Sequence, residues 1–316
     1  MPNTHIQHVA VIGSGQMGPG IAQTCATAEY ATTLIARSVT GIEKAQAKIR
    51  ANLTAMSQYD LARADEIDTI IARIVFRTDG LAGAADADLV IEAAVEDLPL
   101  KQQLFADLEG VCRSDAILAS TTSGLLATDI GAQTHHPERV IVAHYWNPPH
   151  LLPLVEVAPS PRTAPEVTEA VTAFLHSTGH APALVRKDAL GFIANRLQHA
   201  LWREALAIVE RGIASPHDVD EAMKTSFGAR TPVLGIFEHM DLVGLDFVQY
   251  LHSYLLADLD TQPGPNAELQ ARVSRGDLGA KTGRGFYDWS VKSAAEVIRA
   301  RDTELLERAR KRKSSA

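Results

Sequence analysis

Apolar and polar positions follow two different rhythms along this chain, and the change comes near residue 187. In the first part, short apolar runs at 8–12, 32–35, 74–76, 89–91, 117–119 and 140–143 each end in turn chemistry and predict buried strands. Between them, 20–28, 41–55, 62–71 and 100–112 repeat apolar residues at helical spacing. Runs at 155–157 and 183–185 predict two more short strands. Strands alternating with helices specify βαβ units and a mostly parallel sheet.

After Lys187 the helical period takes over. Phe192, Leu197, Leu201, Ala205 and Ile208 mark one face of a helix over 192–212, with Gly212 as its stop. Ser215 and Pro216 read as the N-cap and first-turn proline of a helix over 216–224. The stretches 244–257, 267–275 and 294–312 are also predicted helical. Residues 261–266 read as a loop, and 276–287, with Gly276, Gly279, Gly283 and Gly285, as irregular. The pattern predicts an α/β domain over 1–187 and an all-α domain over 188–316.

Composition narrows the class. Of 316 residues, 46% are hydrophobic and 22% charged, enough for two ordinary cores without staples. The formal charge is -8, from 30 basic and 38 acidic residues, which weighs against nucleic acid as a partner. The cations Arg308, Arg310, Lys311, Arg312 and Lys313 read as a solvated helix end whose charges suit its dipole. No apolar run approaches the ~20 residues of a membrane span, and MPNTHIQHVA lacks the pattern of a secretory signal. Cys25 and Cys112 have no C-x-x-C or Cys/His companion, so free thiols in a reducing compartment are expected and a metal site is not. A cytoplasmic protein is the expectation.

The candidate chemistry begins at once. Val9-Ala10-Val11-Ile12 runs into Gly13-Ser14-Gly15-Gln16-Met17-Gly18 and then a helix, the strand–G-x-G-x-x-G–helix context of a dinucleotide cradle. Gly13 permits the turn, Gly15 lets backbone approach a diphosphate, and Gly18 lets helix and strand pack. An NAD site ordinarily ends the next strand in a carboxylate for the ribose 2′-hydroxyl; here it ends in Ala36-Arg37-Ser38, with no carboxylate before Glu43. A guanidinium and a hydroxyl suit a 2′-phosphate, so NADP is favoured, with NAD the alternative if Arg37 only stacks on adenine. Further on, His144 closes an apolar run and Glu156 lies in Leu154-Val155-Glu156-Val157. Each alone is commonplace; as a pair, the carboxylate would fix the imidazole tautomer and make the ring a general base.

These stretches, with 90–101, 119–124, 191–197, 204–220 and 281–287, resemble the L-3-hydroxyacyl-CoA dehydrogenase superfamily over essentially the whole chain. The resemblance implies a Rossmann-type N-terminal domain and a helical, dimer-building C-terminal domain like that of 6-phosphogluconate dehydrogenase. It implies that His144 takes the proton of a substrate hydroxyl while hydride passes to nicotinamide, and that Glu156 orients His144. Ser123 and Asn195 would hydrogen-bond the reacting oxygen, Asn147 would shape the pocket, and Glu96 and Lys101 would lie beside the cofactor.

Two features resemble the branch acting on small free acids such as L-gulonate, L-carnitine and pyridine carboxylates. No lysine occurs between Lys48 and Lys101, where acyl-CoA members carry basic residues for the nucleotide of CoA. The segment Asn147-Pro148-Pro149-His150 and the Gly124 after Ser123 also match that branch. The expected substrate is therefore a 3-hydroxy acid or a related small hydroxy-carboxylate. Its carboxylate needs a cation, and Arg186, Lys187, Arg203 and Arg230 are candidates, Arg230 first. An L-3-hydroxyacyl-CoA dehydrogenase is the alternative, and a non-catalytic dinucleotide-binding protein the remote one.

Overall fold

Eight strands make one sheet in the computed structural model, which describes residues 5–315. They are β1 (His8–Ile12), β2 (Ala31–Ile35), β3 (Ile74–Arg77), β4 (Leu89–Glu92), β5 (Ile117–Ser120), β6 (Val140–Tyr145), β7 (Leu154–Pro159) and β8 (Ala181–Leu184), in the order β3-β2-β1-β4-β5-β6-β7-β8. Every neighbouring pair is parallel except β6 and β7. This is the expected Rossmann-type sheet. Of the opening segment read as lacking a secretory signal, residues 1–4 lie outside the described residues.

Both faces of the sheet are covered, which is why its strands read as unbroken apolar runs. Side chains alternate between the faces. Val9, Val11, Leu89, Ile91, Ile117, Ala119, Ile141, Ala143, Val155 and Val157 enter one core cluster; Ala10, Ile12, Val90, Leu118, Val140, Val142 and Ala158 enter the other. The same alternation carries Glu92, Ser120, His144 and Glu156 to the second face. Three of them stand at the carboxyl ends of parallel strands, where open α/β sheets bind ligands.

The helices of this unit are α1 (Gly18–Thr27), α2 (Val39–Ser57), α3 (Ile67–Ala72), α4 (Leu98–Val111), α5 (Ala127–Ile130) and α6 (Pro165–Ser177). Ser38 caps α2 by accepting from the Gly41 amide, and Asp97 caps α4 by accepting from Leu100. The helix expected over 62–71 begins as a 3₁₀ turn, Ala64–Glu66, before α3. The helix expected from 192 starts later, as α7 (Ala194–Glu210), because Gly191 and Phe192 both take positive φ, 74° and 52°.

By contacts, one compact unit runs to Arg196 and takes up the chain again from Ala300; the other is Leu197–Arg299. The contacts divide the chain at Arg196, a little beyond Lys187, with Phe192 still buried in the sheet's second core cluster. The second unit is all-α, as expected: α8 (Pro216–Thr225), α9 (Phe227–Arg230), α10 (Ile236–Val243), α11 (Leu245–Leu255) and α12 (Ala267–Arg275) follow most of α7. The final helix, α13 (Ala294–Ser315), belongs from Ala300 onward to the unit of the sheet.

Candidate active site

The loop after β1 fits a dinucleotide on its own geometry. Gly13 has φ 115°, and a Cβ there would stand 2.5 Å from the Ala93 carbonyl oxygen. A Cβ on Gly18 would stand 1.7 Å from the Gly13 carbonyl oxygen, so only glycine lets α1 approach β1 this closely. Around Gly15 no heavy atom lies within 4 Å of that position, and the backbone is open to a ligand. No side chain caps α1 after Met17, and its first turn carries no acid, so its amides remain for an anion. The Gln16 carbonyl accepts from Lys48 Nζ at 2.8 Å, which ties the loop to α2.

At the end of β2, Ala36 is buried and Arg37 is exposed, with no side-chain partner among the described residues. A Cβ on Gly41 would stand 2.8 Å from Ser14 Oγ, 3.3 Å from Ser38 Oγ and 3.5 Å from Ala36 Cβ. Two hydroxyls and the opening turn of α2 therefore meet beside the position where a carboxylate is missing.

Across the sheet, β6 and β7 pair antiparallel in a register that sets His144 against Glu156. His144 Nδ1 lies 2.8 Å from Glu156 Oε2, and Trp146 Nε1 donates to the same oxygen at 3.2 Å. The other carboxylate oxygen, Oε1, accepts from the Ile193 and Ala194 amides at 2.8 and 2.9 Å, at the start of α7. Burial pushes the Glu156 carboxyl up, but the bonds from His144, Ala194, Ile193 and Trp146 more than reverse this and hold it below its ordinary range. Glu156 is fully buried and His144 only 4% exposed, its ring between Trp146 and Phe192 with both ring centroids 5.5 Å away. Nε2 of His144 has no partner among the described residues. Phe192 reaches His144 from the left-handed region, a conformation that costs energy for a bulky side chain.

A second buried network lies beside this pair. Lys101 Nζ donates to both oxygens of Glu92, at 2.7 and 2.9 Å, and all but 1% of its side chain is buried. Ser120 Oγ and the Ala94 amide each donate to Glu92 at 2.6 Å. Lys101 also lies 3.6 Å from Glu96, which accepts from Thr122 Oγ1 and, at 3.0 Å, from the Ser123 amide. Asn195 Nδ2 donates to the Ser123 carbonyl at 2.6 Å. The structure thus links Asn195, Ser123, Glu96 and Lys101, and joins them through the turn before α7 to His144 and Glu156.

Sequence reasoning missed Glu92, Ser120, Trp146 and Phe192. The available signal was a polar residue ending an apolar strand, on the same face as His144. Among the cations proposed for a carboxylate, Arg203 lies 4.0 Å from Asp260, while Arg186 and Lys187 are exposed after β8. Arg230 is exposed at the end of α9, in the second unit, and Asn147 is exposed after β6. A cavity of about 630 Å³ lies wholly within the second unit, lined by residues such as Trp202, Leu206, Phe286 and Tyr287, and holds none of these residues. Among the described residues no His, Cys, Asp and Glu side chains cluster so as to hold a metal ion, and no helix is long and apolar enough to cross a membrane.

Residues 8–189 match the NAD binding domain of 3-hydroxyacyl-CoA dehydrogenase, and 191–289 match the C-terminal domain of the same enzyme. The chain belongs to the 3-hydroxyacyl-CoA dehydrogenase family. It is an oxidoreductase of that family, acting on CH–OH groups. It is 32% identical over 299 residues to the 5-formyl-3-hydroxy-2-methylpyridine 4-carboxylate 5-dehydrogenase of Mesorhizobium japonicum, covering 94% of this chain and 96% of that enzyme. A solved structure of a dehydrogenase for the same compound, described as an NAD+-dependent dismutase, matches with a TM-score of 0.89 at 30% identity, over 96% of this chain and 97% of that one. The 3-hydroxybutyryl-CoA dehydrogenase of Clostridioides difficile is 36% identical over 284 residues, which are 89% of this chain and 99% of that enzyme. Neither the matched domain nor the solved neighbour supports the NADP preference expected from Arg37 and Ser38, since both are described by NAD.

Proposed function

We propose that this member of the family oxidises a small free hydroxy-carboxylate, or reduces its keto form, with His144 as general base. The observation that carries this is the buried His144–Glu156 pair with Nε2 left open. The dinucleotide, when bound, would accept the hydride in oxidation or supply it in reduction, and Gly13, Gly15, Gln16, Met17 and Gly18 would hold it. His144 Nε2 takes the hydroxyl proton, and Glu156, charged and anchored by two backbone amides, stabilises the imidazolium that results. Ser123, whose hydroxyl has no partner among the described residues, donates to the oxygen as charge develops on it. Asn195 binds the same oxygen with its remaining N–H, its other being committed to the Ser123 carbonyl. Lys101 acts through Glu92 and Glu96, since its ammonium is already taken up by them. Asn147 is the proposed partner of the substrate's own polar groups.

The full-length likeness to the pyridine-carboxylate enzyme and the absence of lysine between Lys48 and Lys101 support a free acid. The identity to the 3-hydroxybutyryl-CoA enzyme supports the second reading, an acyl-CoA substrate. For the cofactor, the exposed Arg37 that follows β2 where a carboxylate is ordinarily found, with the Ser14 and Ser38 hydroxyls beside Gly41, supports binding of a 2′-phosphate, hence NADP over NAD. Strongly exposed apolar side chains on the second unit, Val233, Phe237, Leu242 and Tyr250 among them, support a homodimer. A panel of free hydroxy acids and acyl-CoA thioesters, assayed with both cofactors, tests the reading. Turnover of the free acids alone is expected, and turnover of thioesters alone overturns it.

A further inference from the structure

The last helix leaves the second unit and packs on the first. From Ala300 onward α13 belongs to the unit of the sheet, with Leu306 buried to 6% exposure. Its end makes two anchoring bonds. Arg312 Nη2 donates to the Leu151 carbonyl at 3.1 Å, in the loop that follows β6. Lys313 Nζ donates to the Asp60 carbonyl at 2.7 Å, in the turn that follows α2. One helix therefore ties the loop beyond the catalytic strand to the end of α2.

Those two segments also meet directly. Asn52 of α2 reaches Gln23 Oε1 at 3.0 Å and His150 Nδ1 at 3.5 Å, and Gly20 of α1 has room only for hydrogen against Pro149. Burial pushes the His150 imidazole down to about 4, with the charge of Asp302 opposing this and that of Lys48 adding to it. A neutral His150 can pack where they meet without a counterion. A free acid ends at its own carboxylate, whereas a thioester of the same acid continues into a long pantetheine and nucleotide arm that must leave the site between elements of the fold.

The comparisons sharpen the point. The matched C-terminal domain ends at residue 289, so α13 lies outside it.

We propose that residues 300–314 of α13 determine substrate class, bracing the 147–152 loop against the end of α2 so that a free acid is accepted and the arm of its CoA thioester is refused. This rests on the free-acid reading above. The test compares the full chain with an Arg312→Ala, Lys313→Ala double variant and with a chain ended after Arg299, titrating each with acetoacetyl-CoA by calorimetry in the presence of oxidised cofactor, with which the keto thioester cannot react. The brace predicts at least tenfold tighter thioester binding in both altered proteins, with cofactor affinity unchanged. If the shortened chain does not fold, the double variant, which keeps Leu306, carries the test alone. Unchanged or weaker thioester binding in a variant that still melts cooperatively and binds cofactor overturns the proposal. The free-acid reading fails separately, on the unaltered chain, if that chain reduces acetoacetyl-CoA in preference to free acids.

Discussion

His144 and Glu156 face each other as a register pair across the one antiparallel step in the sheet, 2.8 Å apart through Nδ1 and Oε2. The carboxylate's second oxygen is held by the first amides of α7, so strand pairing and helix position together fix the imidazole. The orientation of the ring is a consequence of backbone structure on both sides of it.

Glu156→Gln keeps the size of the side chain and removes its charge. Turnover should fall by about 10²–10⁴-fold with cofactor affinity retained. Stability should change as well. The Glu156 carboxyl is held below its ordinary range, so its contribution is full above the unfolded value and is lost as pH falls through the folded one. Urea midpoints of wild type and variant should differ most near neutrality and converge as pH drops below the ordinary carboxylate range. A pH-independent gap contradicts this.

Lys101→Met leaves Glu92 buried without its cation. Breaking a buried pair from one side costs about 3–5 kcal/mol, because the remaining charge is uncompensated. Urea denaturation should show a loss of that size, and adding Glu92→Gln should restore part of it. A loss within error of zero would mean that Glu92 is held by Ser120 and the Ala94 amide alone.

Arg37→Ala tests the cofactor reading. NADPH binding should weaken by at least about tenfold, the loss of one charge-assisted contact, while NADH binding stays the same. Fluorescence titration of both cofactors measures this directly. Equal weakening of the two contradicts a 2′-phosphate contact.

Burial pushes the Cys25 thiol up to about 12 and the Cys112 thiol up to about 11, the latter partly opposed by Arg139. Neither thiolate forms near neutrality, so a thiol-reactive dye should label both cysteines only after denaturation. Rapid labelling of the native protein contradicts the packing described.

Much of the fold was legible because two-sided burial writes parallel strands as continuous apolar runs, and because Gly13, Gly15 and Gly18 carry steric meaning by spacing alone. The twelve-residue gap between His144 and Glu156 was legible as chemistry, and became geometry once β6 and β7 paired. Other features left weaker traces. The helices α9 and α10 were not read, since Gly228, Pro232 and Gly235 interrupt the apolar pattern. Lys101 was read as a neighbour of the cofactor, whereas its partner Glu92 is set by a contact between β4 and α4 that no local pattern announces. Among the described residues of α13 only Leu306 is a buried hydrophobic, and the Arg312 and Lys313 bonds do the rest, too little to register as an amphipathic stripe.

The central claim is that His144 Nε2 moves the proton. The most direct measurement is turnover of purified His144→Ala on the substrate identified by the panel, alongside its cofactor affinity. A fall of about 10²–10⁴-fold in kcat with cofactor binding intact is the predicted result. Wild-type turnover in that variant would contradict it.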